Sequence, residues 1–216
     1  MKQFDTYVYP GTEVLINKFD CRDPNELKKL EALSTGGNLA FLQLNPVRGR
    51  FDFQHLKDIH FFIFQDIYEW AGKIRTVDIG KGNLFCRVQF IEEYAKTVFS
   101  DFHSACHESC TDKDKFITVL AAHYADLNAL HPFREGNGRS QREFIRELCL
   151  DCGYVLDLTK TTHEEMLSAS VVSFNTGDSS GFREIFSRSV IPIDEYKNLQ
   201  DHLQSKLLIL SKDDLV

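Results

Sequence analysis

His131-Pro132-Phe133-Arg134-Glu135-Gly136-Asn137-Gly138-Arg139-Ser140-Gln141-Arg142 separates two helical patterns, and the reading of the whole chain turns on it. Before it, Phe116, Val119, Leu120, Tyr124 and Leu127 recur on one helical face; after it, Phe144, Ile145, Leu148 and Cys152 do the same. Pro132 disfavours helical backbone at His131, so the first helix stops there. Gly136 and Gly138 flank Asn137 where the second helix opens. Glycine lets successive N–H groups converge on one concavity, and the helix start adds partial positive charge. The result is a cradle for a phosphate-like anion. Arg139 and Arg142 stand three residues apart on the first turn and bring forked cationic donors. Glu135 is a hard oxygen ligand of the kind Mg²⁺ takes when it bridges nucleotide phosphates. His131, one loop away, can remove a proton from an incoming hydroxyl. Base, metal ligand, anion cradle and cations in one short stretch describe phosphate-transfer chemistry.

Outward from that segment, the periodicity predicts helices over 53–71, 89–107, 112–130, 138–152, 163–173, 180–188 and 193–211. Thr162-His163-Glu164-Glu165 reads as a capping box opening the helix at 163. Ile74 to Ile79 and Leu84 to Val88 are β-prone runs around Gly80-Lys81-Gly82-Asn83, which predicts a small hairpin and the chain's only β structure. Residues 1–50 read as a loop-rich segment with one short helix, capped by Asp23 and started by Pro24. The class is all-α with one hairpin, arranged as an N-terminal segment over 1–50, a core domain over 51–190 and a C-terminal helix within 191–216.

The 216 residues suffice for one sizeable core, and the 18 Phe make much of it aromatic. A net charge of −7 with no long Lys or Arg run disfavours a general nucleic-acid binder. There is no signal-peptide pattern and no apolar window near the ~18 residues of a spanning helix. Six cysteines without a secretory signal read as reduced thiols, so the expectation is a cytoplasmic protein with no membrane contact.

The segment 131–142 resembles the signature of the Fic family, His-Pro-Phe-x-(Asp/Glu)-Gly-Asn-Gly-Arg-x-x-Arg, with every fixed position present. The similarity extends through Tyr9-Pro10-Gly11-Thr12, Asn17-Lys18, Ile67 to Arg75 and Lys81-Gly82-Asn83. It implies a Fic-type helical bundle with a β-hairpin flap. The implied activity is transfer of AMP from ATP to a Ser, Thr or Tyr hydroxyl of a target protein, with ATP and Mg²⁺ as cofactors. The resemblance makes His131 the base and Glu135 the Mg²⁺ ligand, and puts Gly136, Asn137 and Gly138 on the reacting phosphates. Arg139 goes to the β-phosphate region and Arg142 to the γ-phosphate, while Phe133 anchors the loop in the core. The hairpin near Ile79–Phe85 resembles the family's flap, which aligns the target segment as an added strand, with Lys81, Gly82 and Asn83 as contacts to target or nucleotide. A relative that phosphorylates carries Lys where this chain has Gly138, so AMP transfer is favoured.

Many relatives are held off by a helix carrying (Ser/Thr)-x-x-x-Glu-(Gly/Asn), whose Glu pairs with the second arginine. Ser104…Glu108, Thr161…Glu165 and Ser180…Glu184 each fail that pattern at its last position. The expectation is therefore an inhibitory Glu brought to Arg142 by a small antitoxin protein, this chain being the toxin. Type II topoisomerase subunits are the targets such relatives suggest. Open alternatives are another nucleotide donor, removal of AMP, a non-catalytic ATP- or partner-binding protein, and a zinc-dependent module built on His103, Cys106, His107 and Cys110. Cys149 and Cys152 read as core thiols, and His55, His60 and His123 as residues that pack or face solvent.

Overall fold

The computed structural model describes the backbone of residues 5–81 and 83–198, and of these every side chain but those of Lys81 and Asn83. In chain order its helices are α1 (Pro24–Leu44), α2 (Phe53–Phe64), α3 (Ile91–Val98), α4 (Phe102–Ser109), α5 (Lys113–Leu130), α6 (Asn137–Asp151), α7 (His163–Thr176) and α8 (Ser180–Ser189). Residues 193–198 are also helical. Strands β1 (Gly80–Lys81) and β2 (Asn83–Leu84) pair antiparallel, as do β3 (Tyr154–Leu156) and β4 (Val190–Pro192). Helix α5 lies at the centre, packed against α3, α4, α6, α7 and α8, while α2 packs on α6 and α1 on α2. The core is aromatic: Phe64, Phe102, Phe116, Phe133, Phe144, Phe182 and Phe186 have no exposed surface.

Several expectations are corrected. The one helix expected within 1–50 is long and not short: α1 runs for 21 residues. Asp23 caps it through the N–H groups of Asn25 and Glu26, as its sequence predicts. Its Gly36 and Gly37 each cost about 1 kcal/mol of helix propensity. Packing of Leu27, Thr35 and Leu42 overrides that cost. The predicted helix 53–71 ends at Phe64. Asn38 donates to the Ile63 carbonyl at 3.1 Å, and Ile67 N–H turns to the Phe64 carbonyl at 3.0 Å. The predicted helix 89–107 is broken at 99–101, where Ser100 Oγ donates to the Thr97 carbonyl at 2.9 Å and competes with the ladder.

The hairpin is not the only β structure. Tyr154 to Leu156 pairs with Val190 to Pro192, a match across more than thirty residues that no turn signal announces. The hairpin strands themselves occupy part of the glycine-rich run, not the β-prone run 74–79. Of the predicted C-terminal helix, 193–198 is helical and 199–211 lies outside the described residues. The capping box at Thr162 and Glu165 is present in full.

The loop joining α5 to α6 rests on α2. Phe133 is fully buried and stacks on His60 at 3.8 Å between centroids and 20° between planes. Phe64 stacks on His60 from within α2 at 4.7 Å. Gly136 has φ of +81°, and a Cβ added there would fall 2.2 Å from Cζ of Phe64. Gly72 N–H donates to His60 Nδ1 at 2.8 Å, so the ring proton sits on Nε2 and donates to the Glu135 carbonyl at 3.0 Å. Both ring nitrogens are satisfied without charge, and burial lowers the His60 pKa from 6.5 to about 3.

Two consequences follow for stability. Gly136→Ala should cost about 1–3 kcal/mol or more, through positive φ and the clash with Phe64, read from the denaturant midpoint. An unchanged midpoint would show that the loop can relax. Above pH 6.5 His60 is neutral in both folded and unfolded chains. As pH falls from 6.5 towards 3, the unfolded chain binds a proton that the folded one refuses, so stability declines across that window. His60→Gln should be less stable at pH 7 but lose less between pH 7 and 4; equal losses in the two proteins would contradict the assignment.

Candidate active site

Residues 131–136 carry no regular secondary structure, so their polar backbone groups need partners from elsewhere. Asn137 is 2% exposed and turns its amide onto Phe133: Phe133 N–H donates to Oδ1 at 2.9 Å, and Nδ2 donates to the Phe133 carbonyl at 2.7 Å. The backbone N–H of Arg75 donates to the Pro132 carbonyl, and its Nε to the His131 carbonyl, both at 2.9 Å. His60 takes the Glu135 carbonyl. Arg134 is paired with Asp5 at 2.7 Å. These bonds hold His131 in left-handed backbone, φ +44°, at the C-terminus of α5. A non-glycine residue there is strained by about 1–2 kcal/mol, a feature concentrated at functional positions.

The loop and the start of α6 form one wall of a cavity of about 550 Å³. His131, Glu135, Gly136, Asn137, Gly138, Arg139 and Arg142 all line it. The size is within the range of small-molecule and cofactor sites. Helix α7 contributes Met166, Leu167, Val171 and Phe174 to the lining, together with the polar His163, Ser170 and Asn175. Ile79, Gly80 and Phe85 of the hairpin region close one side, and Tyr124 and Asn128 of α5 lie within it. No side chain caps α6, so the N–H groups of Asn137 and Gly138 can serve an anion in the cavity, while the Arg139 N–H already donates to the Gly136 carbonyl at 3.1 Å.

The two arginines of the segment are held differently. Arg139 donates to Glu31 of α1 at 2.6 Å and to Thr35 Oγ1 at 3.3 Å. It also reaches Glu135 at 3.4 Å, and its guanidinium lies over Phe64 at 4.6 Å. The second Glu31 oxygen accepts from the Tyr68 hydroxyl. Burial first, and then this bond, raise the Tyr68 pKa. Arg142 sits beside Gly138, where an added Cβ would lie 3.0 Å from its Nη1, and beside the buried Tyr124 hydroxyl. Arg134, Arg139, Arg146 and Arg188 each hold a carboxylate, whereas no ion pair reaches Arg142 among the described residues. Arg139 and Arg142 also border a second cavity, of about 640 Å³, lined as well by Leu39, Arg146 and Leu158.

The structure thus brings together every site residue that the segment 131–142 suggested. Asn137 differs in detail: its side chain fastens the loop, and its backbone N–H is the group at the helix start. Of the flap residues, Lys81 and Asn83 pair with each other across the strands. Their side chains and the whole of Gly82 lie outside the described residues. Among the described residues no three His, Cys, Asp or Glu side chains are grouped to hold a metal, and His103 instead contacts Asp151 at 2.9 Å. All six cysteines are free thiols; burial raises the pKa of Cys106, Cys149 and Cys152. Glu165 is occupied by its own capping box and by Arg188. Sequence reasoning missed Glu31 and the α7 wall, and it had Arg75 and Phe85 only as members of matched segments, with no role of their own. Arg75 alone left a signal, a charged residue inside a β-prone run.

A family model described as the Fic/DOC family matches residues 50–149. The Escherichia coli K12 protein named "Probable protein adenylyltransferase Fic" is 35% identical over 188 residues, covering 86% of this chain and 92% of its own length. Protein adenylyltransferase VbhT of Bartonella schoenbuchensis is 38% identical over 171 residues. That match takes in 79% of this chain and 36% of VbhT, so the chain spans about a third of that relative. Among solved structures, the N-terminal Fic domain of a Bartonella quintana effector with bound ADP aligns with a TM-score of 0.80 at 26% identity. The alignment covers 86% of this chain and 94% of that one. Bartonella tribocorum BepC with bound AMPPNP shares the fold, with a TM-score of 0.81, 24% identity and 86% and 96% coverage. With a full-length relative at this identity and the family's segment assembled around one cavity, the chain belongs to the Fic/DOC family.

Proposed function

We propose that this chain is a protein adenylyltransferase, which transfers AMP from ATP to a Ser, Thr or Tyr hydroxyl of a target protein and releases pyrophosphate. The observation that carries this reading is the convergence of His131, Glu135, the α6 N-terminus, Arg139 and Arg142 on one cavity of about 550 Å³. The names of the E. coli and Bartonella relatives support it. His131 Nδ1 lies 3.2 Å from the Asn128 carbonyl, which can only accept, so Nδ1 carries the ring proton and the lone pair belongs to Nε2. Nε2 takes the target hydroxyl's proton while that oxygen forms a bond to the α-phosphorus and the bond to the β-phosphate oxygen breaks. The amides at the start of α6 and the two arginine forks receive the charge that develops on the departing pyrophosphate.

The donor set suits Mg²⁺, which takes one or two carboxylates together with substrate phosphates and not an all-protein cage. Glu135 is that carboxylate: it lines the cavity, and its Oε1 is steadied by Gly136 N–H at 2.8 Å. Bound there, Mg²⁺ supplies charge neutralisation to the phosphates. The absence of a carboxylate at Arg142 among the described residues supports inhibition in trans, by a partner protein that places a Glu there. On that reading the chain is the toxin of a toxin–antitoxin pair.

Incubation of the purified protein with cell lysate, Mg²⁺ and ATP labelled on the α-phosphate should label a target band. His131→Ala should lower that labelling by a factor of about 10²–10⁴. Label transferred from the γ-phosphate instead would replace this reading with a kinase-like one. Arg142→Ala should raise the KM for ATP by about tenfold or more, the worth of a charge-assisted bond. It should change ADP affinity much less; equal losses for both nucleotides would mean that Arg142 does not meet the terminal phosphate.

A further inference from the structure

The hairpin and the base are joined by one buried side chain. Arg75 is 1% exposed and its guanidinium takes three carbonyls: Val77 before β1 at 2.9 Å, Cys86 after β2, and His131 at 2.9 Å. Asp78, 3.9 Å from Nη1, balances part of its charge. Cys86 N–H donates to the Ala129 carbonyl at 3.1 Å, which ties the same segment to the last turn of α5. Phe85, between β2 and Cys86, lies face to face with the His131 imidazole. Their centroids are 3.7 Å apart and their planes 8° from parallel. Phe174 of α7 supports Phe85 from behind at 5.0 Å, and Phe85 N–H is held by the Ile79 carbonyl at 3.1 Å.

A histidine ring turns about its last torsion in a broad, roughly two-fold well, so a ring stacked flat against it at 3.7 Å bears directly on the plane it adopts. Proton transfer needs the Nε2 lone pair, which lies in that plane, aimed at the incoming hydroxyl. We propose that Phe85 is a positioning residue for His131, setting the plane of the imidazole, and that Arg75 transmits the placement of the hairpin to that ring. The proposal rests on the reading of His131 as the base. On this account the hairpin does more than present a target strand: the segment that aligns the target also aims the group that deprotonates it.

The test has one readout that needs no turnover. In protein labelled in its histidines, with His131 assigned by comparison with His131→Ala, the imidazole ring protons should resonate upfield through the Phe85 ring current. Phe85→Leu, of similar bulk but without a ring, should move them to the unstacked position, and Phe85→Tyr should keep them in place. Arg75→Lys touches neither ring and loses the fork, yet should shift the same resonances. In labelled-ATP assays Phe85→Leu should lower kcat about tenfold, well beyond any change in KM for ATP, and Phe85→Tyr should restore it. Unmoved imidazole resonances in Phe85→Leu would overturn the proposal, even if affinity for ATP or target fell, because Phe85 would then be only a wall of the site. Unmoved resonances in a folded Arg75→Lys would remove Arg75 from it. If the native protein transfers no AMP, the adenylyltransferase reading fails while the resonances still decide what Phe85 does.

Discussion

The site depends on the two hydrogen bonds between the Asn137 amide and the backbone of Phe133. They close the turn between α5 and α6 from inside and replace the backbone pairing that a regular element would supply. Because Asn137 is also the first residue of α6, the same side chain fixes where that helix starts and which way its opening N–H groups point. With the turn closed in this way, Phe133 enters the core and Glu135 stays at the rim. Gly136 can then pass through left-handed backbone against Phe64.

Two further side chains reach the loop from outside, and they solve opposite electrostatic problems. His60 supports the Glu135 carbonyl as a neutral donor, so this contact beneath the loop needs no counter-charge. Arg75 is cationic and buried, and burial lowers its pKa. Three carbonyls and the nearby Asp78 make its position tenable. On the cavity side Arg139 arrives already matched by Glu31, which makes it a pre-aimed donor. Arg142 has no carboxylate among the described residues and supplies attraction for an anion. The charge pattern therefore grades from balanced at the α1 side to positive towards Gly138.

What the sequence made legible were features with local causes. Periodicity places the helices expected over 112–130, 138–152, 163–173 and 180–188, which run over 113–130, 137–151, 163–176 and 180–189, and side-chain caps open the first and third of them. The chemistry of 131–142 follows from residue types at short spacing. What it hid were features decided across the fold. The length of α1 depends on packing that outweighs two glycines. The end of α2 depends on Asn38, twenty-five residues upstream of Ile63. The β3–β4 pair joins segments with no turn between them. Arg75 and Phe85 looked like ordinary members of a β-prone stretch. Their roles appear only when the hairpin is seen to fold back on the α5 terminus.

The account makes the bond between the α- and β-phosphates the one that breaks. Phosphorus NMR of a reaction containing the protein, Mg²⁺, ATP and a responsive target preparation reports this directly. Pyrophosphate should appear in step with covalent modification of the target, and be absent with His131→Ala. ADP or orthophosphate appearing in step with modification, with no pyrophosphate, would contradict it.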